Sequence, residues 1–201
     1  MSDFPSIIQL KVTLLEIEPP IWRRLLVPQS TTLGDLHHIL QAAFGWLDYH
    51  LHEFQIGGLR FGDPDVDDNG FDEDPRVMPE TEVRLADFTR GAPAFVYVYD
   101  FGDDWRHQVE FEERAVLSPG RKYPACIGGE RSRPPEDVGG VRGYRDFLEI
   151  FHDRSHPEHR AYRTWAGRTF GPEVFDLEKT DRAVRSAVRT ARRRQAAAGY
   201  G

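Results

Sequence analysis

The chain has one cysteine, Cys126, in 201 residues. A single thiol excludes an internal disulfide and points to a reducing compartment. Long apolar runs are also missing. No segment approaches the roughly 20 apolar residues of a membrane span. The opening MSDFPSIIQL has no basic stretch followed by an apolar one, so no signal peptide is expected. A cytoplasmic, soluble protein without membrane partners is the expectation. Positive charge is in deficit: 26 Lys and Arg stand against 33 Asp and Glu, a formal charge of −7. That balance excludes generic affinity for a phosphate backbone across the chain as a whole. Internal repeats are absent. The one low-complexity piece is the terminal RRRQAAAGYG, which is expected to fray.

What is present is a core. Hydrophobic residues make up 39% and aromatics 12%, enough to fill one domain of this length. The 14 prolines and 18 glycines imply many turns and long connections. Charge is uneven. Asp63, Asp65, Asp67, Asp68, Asp72, Glu73 and Asp74 form an acidic patch within a 62–80 loop. Arg182, Arg185, Arg189, Arg192, Arg193 and Arg194 form a basic end.

Periodicity gives the elements. Residues 7–15 and 21–27 read as strands around Glu18-Pro19-Pro20, because proline cannot donate to a sheet ladder. Thr32-Leu33-Gly34-Asp35 fits a helix cap. Leu36, Ile39, Leu40, Ala43, Phe44 and Leu47 follow at helical spacing. Residues 52–61 read as a strand or a hairpin turned at Gly57-Gly58. A short helical turn at 85–88 leads into a long hairpin over 95–111, turned at Asp100–Asp104. The connection 119–143 is too rich in proline and glycine to be regular over most of its length. The last third reads helical, with Tyr144, Phe147, Leu148 and Phe151 as one stripe, a helix start at 155–158, and a final helix from about Asp176 to Arg194. Strands first and helices last give an α+β fold as a single domain over 1–201. The expected sheet is antiparallel or mixed, with a β-grasp-like start of strand, strand, helix and strand. A long central hairpin follows, and the 144–194 helices pack on the sheet.

Four segments carry a resemblance: PPIWRRLLVP, LGDLHHILQAAFGWLDYHLHEF, YDFGDDWRH and YPACIGGERSRPPEDVGG. Together they resemble the plasmid pRiA4b ORF-3-like family over nearly the whole chain, from about Ile7 to Arg185. The resemblance implies the fold of small archaeal α+β proteins of unassigned function. Family members are also described as TnpR-like transposon passenger proteins, which implies a mobile-element setting and a role in site-specific recombination. Many relatives carry a second cysteine at the position of Arg133. The residues themselves show no recombinase chemistry. A serine recombinase needs an activated serine among clustered arginines, and none of Ser2, Ser6, Ser30, Ser118, Ser132, Ser155 and Ser186 sits in such an arrangement.

Four groups of residues are candidates for chemistry. The first joins His37, on the helix, with His50 and His52, which straddle Leu51 and so point the same way. His107, on the apolar face of the hairpin, and the turn acids Asp100, Asp103 and Asp104 complete it. If these converge they form a polar site suited to zinc, manganese or iron, with His50, His52 and His107 as the leading ligands. Their plainer role is to hydrogen-bond turns and backbone inside the core. The second is Glu136, Asp137, Gly139 and Gly140, ahead of the Tyr144 helix. Glycines there can offer N–H groups to an anion, or simply make a rigid cap. Third, Cys126 is either a nucleophile activated by a basic neighbour or a small buried thiol. Fourth, Arg182, Arg185, Arg189 and Arg192 either contact nucleic acid or form a solvated helix face. The leading functional expectation is a non-enzymatic module that binds a macromolecular partner. The alternative is a metal-dependent hydrolase or nucleic-acid-processing enzyme using the His/Asp group.

Overall fold

In the structure, a computed structural model, residues 6–66, 76–88, 93–115, 118 and 120–197 are described. Asp67, Asp68, Asp72, Glu73 and Asp74 of the acidic patch lie outside that set, as do residues 198–201 of the tail; Asp63 and Asp65 are exposed.

The fold is α+β, with eight strands in one mixed sheet and helices concentrated in the C-terminal third. The strands are β1 (Ile7–Leu14), β2 (Ile21–Pro28), β3 (His52–Ile56), β4 (Leu59–Gly62), β5 (Val77–Pro79), β6 (Ala94–Tyr99), β7 (Trp105–Ala115) and β8 (Ala125–Glu130). Their spatial order is β5-β4-β3-β6-β7-β1-β2-β8. Every neighbouring pair is antiparallel except β4 and β5. The helices are α1 (Leu33–Phe44), α2 (Leu85–Phe88), α3 (Gly140–His152), α4 (His159–Trp165) and α5 (Leu177–Ala197).

The strand–strand–helix–strand opening occurs in chain order, but β3 does not return beside β1. The long hairpin β6–β7 inserts between them, so β1 pairs with β7 and β3 with β6. Two strands were not expected. β8 lies inside the proline- and glycine-rich connection, and β5 lies at the end of the acidic loop. Both are edge strands, where one flank of unpaired backbone tolerates short or glycine-containing sequence. Gly129 in β8 shows what its sequence serves: a Cβ there would meet Trp22 O at 2.8 Å and the Phe175 ring at 2.7 Å.

Alternation along the strands sends one set of side chains to the core. Leu10, Val12 and Leu14 of β1, Trp105, His107 and Val109 of β7, and Phe95, Tyr97 and Tyr99 of β6 are all buried. They pack beneath Leu36, Ile39, Leu40 and Phe44 of α1 and Val184 of α5. The opposite face is partly solvated and carries Arg24 paired with Glu112 at 2.7 Å and Arg60 with Glu53 at 2.7 Å.

Helix α1 starts where the cap chemistry places it. The Thr32 hydroxyl accepts the Asp35 N–H at 3.1 Å. It ends at Gly45, whose φ of 83° lets its N–H return to Gln41 O at 2.8 Å. That sharp exit turns the chain into the segment 46–51, which leads to β3 and supplies Asp48 and His50 to the site.

Candidate functional site

The four motif segments pack against one another at one end of the sheet. Trp46, just after α1, donates its indole N–H to His107 Nε2 at 3.2 Å. Arg133 lies over the Trp46 ring at 4.7 Å and donates to Gly45 O at 3.0 Å. Glu136 accepts the Leu47 N–H at 2.7 Å. The turn of the β6–β7 hairpin touches the start of α3, where the Asp103 carboxylate accepts the Gly139 N–H at 3.2 Å. Arg23, 2% exposed, donates to Ala43 O and Glu130 O at 2.8 Å, and to Arg131 O at 2.8 Å. This buried guanidinium, held by carbonyls, ties α1 to the strand-and-loop framework.

Within this frame the expected cluster splits into three. His107 is a core histidine and does not join the others. It is fully buried, its Nε2 accepts from Trp46, and its Nδ1 faces Tyr97 O at 3.3 Å. Burial pushes its pKa down to about 4. A neutral ring with both nitrogens engaged inside the core has no free lone pair for a metal, so the proposed ligand role of His107 is corrected to a packing role.

The second group surrounds His37. Its Nε2 stands 2.7 Å from Asp48 Oδ1 and its Nδ1 stands 2.8 Å from the Tyr97 hydroxyl. Gln41 Nε2 donates to the same hydroxyl at 2.9 Å, while Gln41 Oε1 accepts the Asp48 N–H at 3.0 Å. The assignment that satisfies every atom puts the proton on His37 Nε2, with Tyr97 donating to Nδ1. The bonds then close a ring through Gln41, Tyr97, His37 and Asp48. Burial pushes the His37 pKa down to about 4, against the opposing pull of Asp48, and raises Tyr97 well above the phenol range. His52 stacks on His37 with ring centroids 3.5 Å apart and lies 2.9 Å from Glu80. Burial alone would raise Glu80, but the hydrogen bond from His52 holds it below the usual carboxylate value. His38 Nδ1 sits 3.7 Å from Asp48 Oδ2. Ligating atoms of His37, His38 and Asp48 all lie within 4.8 Å of one another. The 2.7 Å His37–Asp48 contact is a hydrogen bond, however, and is shorter than the about 3.3 Å between two ligands of a tetrahedral zinc.

The third group is His50, Asp100 and Asp137. His50 Nε2 lies 3.0 Å from Asp137 Oδ1 and 3.5 Å from Asp100 Oδ2. Neither contact is aligned as a hydrogen bond, and Nε2 is buried with no hydrogen-bond partner. Asp100 is 6% exposed, and its other oxygen is taken by the Gly102 N–H at 3.0 Å. Asp103 and Asp104 do not enter this group. Asp103 caps Gly139, and Asp104 lies 3.9 Å from Arg106.

The remaining candidates resolve locally. Gly139 N–H is already bonded by Asp103, and a Cβ on Gly140 would stand 2.6 Å from Asp103 O. The glycines therefore seat the hairpin turn on the helix start, which fills that helix end with a carboxylate from within the chain. Cys126 is buried, and burial raises its thiol pKa, the opposite of nucleophile activation. Arg182, Arg185 and Arg192 pair with Glu178, Asp181 and Asp35, while Arg189 is exposed.

Sequence patterning did not single out Asp48, Glu80, Gln41 or Tyr97. One signal was available. Asp48, His50 and His52 alternate with Leu47, Tyr49 and Leu51, and the structure leaves the apolar set outside while His50 and His52 are partly buried and Asp48, though exposed, reaches back to His37. Leu47 is 47%, Tyr49 73% and Leu51 46% exposed.

An open α+β sheet with two histidine–carboxylate clusters at one end is the class this geometry defines. The chain belongs to the plasmid pRiA4b ORF-3-like protein family, whose model matches residues 6–179. It is 38% identical over 180 residues to the uncharacterized protein y4hQ of Sinorhizobium fredii, covering 89% of this chain and 91% of that one. The crystal structure of a protein of unknown function, MM3350 from Methanosarcina mazei, superposes with a TM-score of 0.78 at 36% identity. That match covers 88% of this chain and 97% of the other. No helix among the described residues is long and apolar enough to cross a membrane.

Proposed function

We propose that the chain is a non-catalytic binding module whose contact surface is the end of the sheet formed by segment 46–51 and the turn 100–104. One observation carries this reading. The stretch presents Leu47, Tyr49 and Leu51 outward, while Asp48, itself exposed, bonds His37 and the partly buried His50 and His52 face Asp137 and Glu80. Phe101, 49% exposed, extends the row, since Asp100 N–H bonds Leu51 O at 2.9 Å and brings the turn alongside. Scattered apolar residues on a surface are ordinary, but a row held rigidly by two polar networks is the arrangement of a docking surface. The carboxylates around it, Asp104 and Asp137, favour a protein partner with apolar and basic side chains. A nucleic-acid partner on α5 has less support, because three of the four candidate arginines are paired with acids. The family name, taken from a plasmid reading frame, supports an association with mobile elements.

The test is photo-crosslinking in the native host from a photoreactive phenylalanine analogue at position 49. The control position is 59, where Leu59 is 51% exposed on the β3–β4 hairpin. A discrete protein adduct from 49 alone, lost on Leu47→Ser, is the expected result. Equal labelling from both positions, or an adduct removed by nuclease rather than protease, refutes a protein-binding surface here.

A further inference from the structure

We infer that His50, Asp100 and Asp137 form a binding site for a divalent metal ion of the zinc class. Each ligand comes from a different segment: His50 from the chain entering β3, Asp100 from the hairpin turn, and Asp137 from the loop before α3. The ligating atoms lie within 4.8 Å of one another. His50 Nε2 has separations of 3.0 and 3.5 Å to the two carboxylate oxygens, which bracket the about 3.3 Å between ligands of a tetrahedral zinc with bonds near 2.0–2.1 Å.

Three further observations favour an ion over a hydrogen-bonded triad. His50 Nε2 is buried and makes no hydrogen bond, although two acceptors stand within 3.5 Å. A buried imidazole nitrogen beside two carboxylates with no bond to either requires an explanation, and a shared cation supplies it. Asp100 keeps Oδ2 for the site, because Oδ1 is committed to the turn at Gly102; this fixes the carboxylate as a supporting shell does for a metal ligand. Asp100 and Asp137 also hold left-handed backbone conformations, with φ of 61° and 56°. Non-glycine residues adopt that region at a cost, and both carboxylates are presented by it.

One imidazole and two carboxylates suit zinc or manganese and disfavour copper(I), which takes thiolate or thioether. Asp137 has a side chain 69% exposed, so one side of the ion faces solvent and keeps a coordination position for water or a partner's ligand. The neighbouring His37 group is the internal contrast: there, the shortest pair is a 2.7 Å hydrogen bond and the ring of bonds is closed. The inference does not depend on the protein-binding surface proposed above.

The test is calorimetric titration of the full chain, purified without a histidine tag, with zinc chloride and separately with manganese chloride. Saturation at one ion per chain by either metal is expected. Asp137→Asn alters an exposed side chain and leaves the fold intact, and it should weaken binding beyond the roughly tenfold loss typical of disturbing a ligand's support. His38→Ala, in the other cluster, should bind as the unaltered chain does. Failure of both metals to bind, unchanged affinity in Asp137→Asn, or loss of binding in His38→Ala would each overturn the assignment.

Discussion

The indole N–H of Trp46 and Nε2 of His107 are joined across 61 positions by a 3.2 Å hydrogen bond inside the core. The bond locks the exit of α1 onto the middle of the sheet. It also decides the chemistry of His107, since a nitrogen accepting from an indole is not free for a metal and gains a proton only at low pH. The buried ring packs edge-on to Phe44, with centroids 4.7 Å apart.

His107→Ala removes the acceptor and opens a cavity. Transfer, cavity and an orphaned indole donor together should cost about 3 kcal/mol. His107→Gln, which keeps an acceptor, should cost less. Urea unfolding followed by tryptophan fluorescence reads both; an Ala variant as stable as the parent would contradict the packing role.

The same burial sets a pH dependence. His107 and His37 are both pushed from the ordinary 6.5 down to about 4 in the folded chain. The unfolded chain therefore binds more protons between those values, and stability falls as pH drops through that window. Stability from these two groups is fully present above about pH 6.5 and lost by about pH 4. The urea midpoint should fall from pH 7.5 to pH 5, and His107→Gln should shallow the slope. A midpoint that rises on acidification would contradict the assignment.

Much of the fold was legible because its signals are local. The Thr32 cap, the proline-marked turn between β1 and β2, and the period-two alternation of Trp105, His107 and Val109 each depend on neighbours in sequence. The candidate site was legible only in part. His50, Asp100 and Asp137 were each singled out, but for two separate groups. Their convergence depends on how the hairpin turn meets the α3 start, a contact set by Gly140 lying against Asp103. Asp48 went unnoticed because its partners Gln41 and His37 lie seven and eleven positions back on α1, and the chain reaches them only by the reversal at Gly45, which no helical or strand period marks. β8 was missed because proline and glycine dominate its surroundings, and an edge strand needs little propensity of its own.

Arg23 gives a prediction that separates geometry from charge. Its guanidinium is buried, burial lowers its pKa to about 10, and it donates to the carbonyls of Trp22, Ala43, Glu130 and Arg131. It also lies 4.9 Å from the Phe44 ring and 4.4 Å from Phe175. Lysine keeps the charge but cannot span four carbonyls with one ammonium. Arg23→Lys should therefore cost about 3 kcal/mol, close to Arg23→Met. A lysine variant within about 0.5 kcal/mol of the parent, the range of ordinary surface changes, would show that charge alone suffices.

Gly140→Ala tests the joint that assembles the candidate site. The residue has φ of 66° and its missing Cβ would fall 2.6 Å from Asp103 O, a backbone atom that cannot swing aside as a side chain does. Strain in the left-handed region costs on the order of 1–3 kcal/mol, and the clash adds to it. The turn 100–104 should be pushed off the α3 start, breaking the Asp103–Gly139 bond and drawing Asp100 away from Asp137. Destabilisation of at least about 2 kcal/mol is expected, with weakened zinc uptake in whatever fraction stays folded. Gly45→Ala is the matched control. It carries the same backbone penalty at φ of 83° with nothing within 4 Å of its Cβ, so it should lose stability and keep its metal affinity. Equal effects on zinc binding from the two substitutions would mean that the contact between turn and helix does not position the carboxylates.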